Sequence, residues 1–163
     1  MEGIVTPAAL LIGFLVLQRL AELVWSRRNT RRLLARGARE EGRAHYPLLV
    51  AVHVAWLAAL ALLGWNQPVS LPFLALFAVL QVLRLWILAS LGERWTTRII
   101  VTGEPLVRHG PYRWLRHPNY LLVAAEIATV PLALGLPWVA LAFTLLNGAV
   151  LWLRIRAEDR ALG

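Results

Sequence analysis

The chain has 163 residues, is 59% hydrophobic with mean hydropathy +0.61, and carries a net charge of +8. All 17 basic residues are arginine and cysteine is absent. This excludes Schiff-base lysine chemistry, a P-loop lysine, disulfides, thiolate nucleophiles and cysteine metal sites. The apolar residues concentrate in long runs, the signature of membrane spans, and leave no room for a separate soluble core. The expectation is one membrane domain over 1–163. His45, His53, His109 and His117 show no zinc spacing, so no metal site is expected. The arginines flank apolar runs, which points to membrane lipids as partners and away from nucleic acid.

The first apolar run is Ile4 to Trp25. Its arginine cluster follows it, the reverse of a cleaved signal peptide, so it reads as a permanent helix with its N-terminus outside. Ser26 to His45 holds seven arginines and two glutamates and reads as a cytoplasmic loop or surface helix against anionic lipid. Tyr46 to Leu63 is the second span, and the uncharged GWNQPVS turn after it suits the outer face. Leu71 to Leu91 is the third span, interrupted by Gln81 and Arg84. The polar stretch Gly92 to Asn119 returns to the cytoplasm, and its Gly103-Glu104-Pro105 turn would permit a lid. Tyr120 to Gly135 and Trp138 to Leu153 form a C-terminal hairpin. At 16 residues each they reach roughly 24 Å, short for a ~30 Å hydrocarbon core, so tilt or shelter is expected. Trp25, Trp65, Trp138 and Trp152 near run ends fit an aromatic belt. The fold class is therefore all-α and integral to the membrane, with about five transmembrane helices, N-terminus out and C-terminus in.

The hairpin must return RIRAED to the leaflet where RHPNY begins, so two polar clusters converge on one cytoplasmic pocket. Pro118 suits the first turn of the fourth helix. The open N–H groups there, with Arg116, His117 and Arg156, would form an anion site. Glu158 and Asp159 add opposite charge, and Tyr112, Trp114 and Tyr120 add aromatic faces. Such a pocket suits a zwitterion carrying an aromatic ring. Arg84, Gln81, Glu126 and Asn147 lie within apolar runs, where ionisable groups usually face a cavity or a partner. Glu126, roughly 10 Å deeper than Pro118 along the helix, either points into the pocket or pairs with Arg84 to hold helices together. Arg19 and Glu22 read as a structural pair on one helix face. His53, alone on an apolar helix, reads as an interhelical hydrogen-bonder.

GPYRWLRHPNYL, followed by a short apolar hairpin and RIRAED, resembles the isoprenylcysteine carboxyl methyltransferase family over roughly Leu91 to Leu162. GERWTTRIIV and Asn119 look closest to the bacterial branch similar to alkylpyrone O-methyltransferases, which act beside type III polyketide synthases. The resemblance implies an integral membrane enzyme of the bacterial inner membrane, using S-adenosylmethionine from the cytoplasmic side. Its cofactor-binding part would span about 92–162. Carried over by motif, Tyr112, Arg116, His117, Pro118 and Tyr120 would line the cofactor site, with Arg156, Glu158 and Asp159 closing it from the last helix. Leu122 stands where the family commonly has a small residue, and Asp159 stands where it often has glutamate. Under this reading the acceptor is lipophilic, a carboxylate or an acidic enol. Arg156 or Arg84 would hold its oxygen, and Glu126 would orient it or take its proton. The competing readings are an NADPH-dependent sterol-type reductase, which shares RHPNY, a phospholipid N-methyltransferase, and a non-catalytic lipid-binding membrane protein.

Overall fold

The computed structural model describes residues 5–163; Ile4, expected to start the first span, lies outside them. Five α-helices make up the fold: α1 (Pro7–Ala35), α2 (Tyr46–Leu63), α3 (Leu71–Leu91), α4 (Pro118–Ala133) and α5 (Pro137–Leu162). Four of them, α1, α2, α3 and α5, are long and apolar enough to cross a membrane. The fifth, α4, is apolar but only 16 residues long, and it packs between α3 and α5. The all-helical integral membrane architecture expected from the sequence is the one observed.

Two helices overrun their apolar runs. The α1 helix starts at Thr6, whose side chain accepts the Ala9 N–H at 3.0 Å, with Pro7 in its first turn. It does not stop at Trp25 but continues through the arginine cluster to Ala35, and Gly37 at φ +91° ends it. Hydropathy tracks the membrane, whereas a helix stops at a breaker, and no glycine or proline stands between Trp25 and Gly37. One face of α1 is buried throughout. That face is apolar at Ala8, Leu11, Ile12 and Leu15, then polar at Glu22, Ser26, Asn29 and Thr30. The helical period thus carries one buried stripe from lipid depth into a polar chamber. For the same reason α5 runs past Leu153 through RIRAED to Leu162.

The sequence reading contains no strand, yet Arg39–Glu41 (β1) pairs antiparallel with Ile99–Val101 (β2), with Glu40 opposite Ile100. The ribbon ties the α1–α2 connection to the α3–α4 connection. The Glu40 carboxylate is buried beside it and accepts from Arg98 at 2.6 Å and Arg43 at 3.2 Å. Beneath it Thr97 is a hub: its N–H donates to Ser26 Oγ at 2.8 Å, and its Oγ1 lies 3.1 Å from the Tyr46 hydroxyl.

At the opposite end the core joins α1, α2, α3 and α4 through Leu15, Trp56, Leu60, Phe77, Ile127 and Val130. Pro131 sits inside α4 and has no N–H to give the Ile127 carbonyl four residues earlier. The indole N–H of buried Trp56 supplies that bond at 3.2 Å. A proline that would leave an unpaired carbonyl at membrane depth thereby locks α4 to α2.

Candidate functional site

At the polar end a 3-10 turn, Gly110–Arg113, docks on the end of α3. Gly110 is at φ +58°, and a Cβ there would meet Ser90 Oγ at 2.1 Å. Only glycine allows this approach, which sets where Tyr112 and the start of α4 lie. Pro118 opens α4, with His117 just before it. The α4–α5 hairpin then returns the chain so that α5 passes alongside. The two polar clusters meet: Tyr120 donates to Glu158 Oε2 at 2.5 Å, His117 Nε2 lies 3.1 Å from Asp159 Oδ1, and Arg116 pairs with Asp159 at 3.2 Å. The His117 and Tyr120 rings lie 5.6 Å apart. Burial, and next the Glu158 carboxylate, pushes the Tyr112 phenol well above its ordinary range, so it stays protonated and able to donate.

Tyr112, Arg116, His117, Tyr120 and Glu158 border a cavity of about 1210 Å³, while Pro118 and Asp159 lie outside its lining. Its mouth is lined by Tyr112, Arg116, His117, Tyr120, Arg154 and Glu158. The segment from Arg94 to Arg108, the stretch that would permit a lid, forms one wall of the chamber. The far part of the cavity runs between α1 and α2. Val16, Leu20, Val50 and Val54 line it and are exposed, so this part of the chamber is bordered by accessible apolar side chains.

The candidate residues do not all gather here. Arg156 is exposed, with its guanidinium 3.9 Å from the Trp152 ring, outside the cavity lining. The arginine at the chamber is Arg154, which sequence reasoning passed over. It is 2% exposed and donates to the Thr97 carbonyl at 2.8 Å, and its Nε is buried with no protein partner. The signal was there in the spacing. Arg154 and Glu158 are one helical repeat apart and share a face, whereas Arg156 lies about 200° around the helix from either.

Arg84 and Glu126 are placed together, away from the mouth. Glu126 is fully buried and outside the cavity lining. Its Oε1 accepts from Gln81 at 2.8 Å and from Arg84 Nε at 2.9 Å, and its Oε2 accepts from Arg19 at 2.7 Å and from Arg84. Arg84 spends its remaining nitrogen on Glu22 at 2.7 Å, and Arg19 reaches Glu22 at 3.2 Å. Two arginines and two glutamates form a neutral quartet from α1, α3 and α4, and all three Arg84 nitrogens already donate. The expected Arg19–Glu22 pair is thus half of a larger cluster. The open alternatives for Glu126 narrow to a helix clamp, because both its oxygens are saturated. His53 is also placed differently from the expectation: its Nδ1 bonds the Leu49 carbonyl of its own helix at 2.9 Å, and its ring lines the cavity.

Five apolar helices around a polar-mouthed chamber define the class of small integral membrane proteins. More particularly, the chain belongs to the isoprenylcysteine carboxyl methyltransferase (ICMT) family, whose model matches residues 73–163. Membership makes it a membrane methyltransferase. It is 40% identical over 159 residues to "Uncharacterized protein YpbQ" of Bacillus subtilis (strain 168), covering 94% of this chain and 95% of that one. It is 27% identical over 152 residues to an "Uncharacterized protein" of Haemophilus influenzae, covering 88% of each. No solved structure matches the chain.

Proposed function

We propose that the chain transfers a methyl group from S-adenosylmethionine to an oxygen of a lipophilic acceptor, at a chamber facing the cytoplasm of a bacterial inner membrane. The observation that carries this reading is the convergence of Tyr112, Arg116, His117 and Tyr120 with Arg154 and Glu158 on the lining of one cavity. The guanidinium groups of Arg116 and Arg154 on that lining suit an anion, and the Glu158 carboxylate suits an ammonium or hydroxyl groups. The cofactor's amino-acid end and ribose carry that set, so the residues present fit it. Arg154 would hold the carboxylate, and Glu158 and Asp159 the amine or ribose hydroxyls. Tyr112, Tyr120 and His117 would bound the rings and the sulfonium. When bound, the cofactor supplies an electrophilic methyl group.

The chain's part is positional. The mouth fixes the donor, and the α1–α2 opening admits an apolar tail. The Arg94–Arg108 wall keeps water from the reacting oxygen. The volume exceeds that of a typical single-ligand pocket, ~300–1,000 Å³, so two ligands fit together. Every arginine except Arg19 and Arg84 lies at the polar end, and the GWNQPVS and LGLPW turns at the other end carry no charge. By the positive-inside rule this supports an N-terminus outside and a C-terminus inside.

Calorimetry on the detergent-purified protein tests the reading, with S-adenosylhomocysteine and NADPH as separate ligands beside a His117→Ala/Glu158→Ala variant. Micromolar binding of the first ligand, lost in the variant, is expected. Binding of NADPH instead would establish a reductase, and binding of neither by folded protein would leave a lipid-binding role.

A further inference from the structure

A second cavity, of about 390 Å³, lies at the polar end between the β1–α2 connection and the last turns of α5. It borders the chamber but is separate from it, since Ala161 alone lines both. Small residues make the hollow. Gly42, at φ +61°, has no side chain, and a Cβ there would stand 3.1 Å from Ile99 Cδ1 and 3.4 Å from Ala157 Cβ. The connection therefore lies close against α5, where Ala157 and Ala161 share a face and leave room beside them. The charged groups on the lining are Arg39, Glu41 and Arg160. Each guanidinium is tied at Nε: Arg39 meets Glu41 at 3.2 Å, and Arg160 donates to the Arg156 carbonyl at 3.1 Å. That steadies both planar groups and leaves their terminal nitrogens without a hydrogen bond among the described residues. The nearby acids outside the lining are already paired, Glu40 with Arg98 and Arg43, and Asp159 with Arg116 and His117. His45 completes the polar lining, and its buried Nδ1 makes no hydrogen bond.

We propose that this second cavity binds a phosphate group carried on a small polar head such as glycerol, at a site separate from the cofactor's. A guanidinium whose terminal nitrogens are free offers two parallel N–H donors, the pattern that grips two phosphate oxygens at once. Two arginines against one glutamate leave the lining one positive charge, which matches a singly charged phosphate diester. A volume near the lower end of small-ligand pockets, ~300–1,000 Å³, holds a phosphate and a few further atoms. That chemistry has two sources, the head of an anionic phospholipid and a free organic phosphate. His45 stands directly before the α2 span, at the level where lipid heads meet water, so both reach the site. The site stands whether or not the chamber transfers methyl groups.

The test is calorimetry in phosphate-free, uncharged detergent, with glycerol phosphate and dihexanoyl phosphatidylglycerol titrated separately. The proteins are wild type, Arg39→Gln and Arg160→Gln. Both side chains are exposed, so unfolding temperatures should be equal, which shows that the variants are folded. Wild type should bind at least one probe, and each variant should bind it about tenfold more weakly. Tighter binding of glycerol phosphate assigns a soluble source, and tighter binding of phosphatidylglycerol assigns a lipid one. Binding should persist in excess S-adenosylhomocysteine, because the chamber is a different cavity. Binding of neither probe by wild type, undiminished binding by both variants, or displacement by S-adenosylhomocysteine would overturn the site. Failure of S-adenosylhomocysteine itself to bind would instead sink the methyl-transfer reading and leave this one standing.

Discussion

Two charged clusters distinguish this molecule, and they differ in what they leave undone. The quartet of Arg19, Glu22, Arg84 and Glu126 is close to self-sufficient: its charges cancel, and both Glu126 oxygens are saturated. The mouth cluster of Arg116, His117, Tyr120, Arg154, Glu158 and Asp159 is bonded loosely. Each cluster holds one buried guanidinium nitrogen without a partner, Arg19 Nε in the quartet and Arg154 Nε here, but the carboxylates of the mouth cluster are partly exposed. A charge-balanced, buried ionic cluster at membrane depth is a fastener, since moving any member strands the others in low dielectric. A partly exposed one beside a chamber is open to a ligand.

The difference is open to attack by substitution. Glu126→Ala should have the largest effect, about 3–5 kcal/mol of destabilisation, because it strands Arg84 and half of Arg19. Thermal unfolding in detergent would read it, and near-wild-type stability would mean the quartet fastens nothing. Next comes Arg154→Ala. Removing a charge-assisted contact should weaken S-adenosylhomocysteine binding by about 10- to 100-fold, with little change in unfolding temperature. Gly110→Ala should cost about 1–2 kcal/mol, because φ +58° strains any L side chain and Ser90 must move. It should also weaken cofactor binding several-fold by displacing the turn that carries Tyr112. The smallest effect belongs to Arg156→Ala. It loses an exposed contact with Trp152 of about 0.5–1 kcal/mol, and the cofactor should bind within about twofold of wild type.

Much of the fold is legible from hydropathy, as in Tyr46 to Leu63 and Leu71 to Leu91, which coincide with α2 and α3. The meeting of RHPNY with RIRAED is legible too, because a short hairpin leaves its two ends no other place. What escapes a linear reading is set by other forces. The continuation of α1 to Ala35 follows helix propensity and the absence of a breaker. The β1–β2 ribbon joins segments about sixty residues apart, and three-residue strands have too little periodicity to show. At the candidate site, proximity in sequence favours Arg156, nearest the acidic pair, while the helical period favours Arg154. The quartet is half legible: Arg84 and Glu126 stand out in apolar runs, but their mutual saturation appears only when three helices are packed.

The choice between the two arginines of RIR carries the account most directly. Calorimetric titration of S-adenosylhomocysteine into wild type, Arg154→Ala and Arg156→Ala, each shown to be folded, decides it. The account predicts micromolar binding by wild type and Arg156→Ala and a loss of at least about tenfold in Arg154→Ala. Undiminished binding by Arg154→Ala would contradict it, because the arginine that shares the chamber lining with Glu158 would then have no part in holding the cofactor.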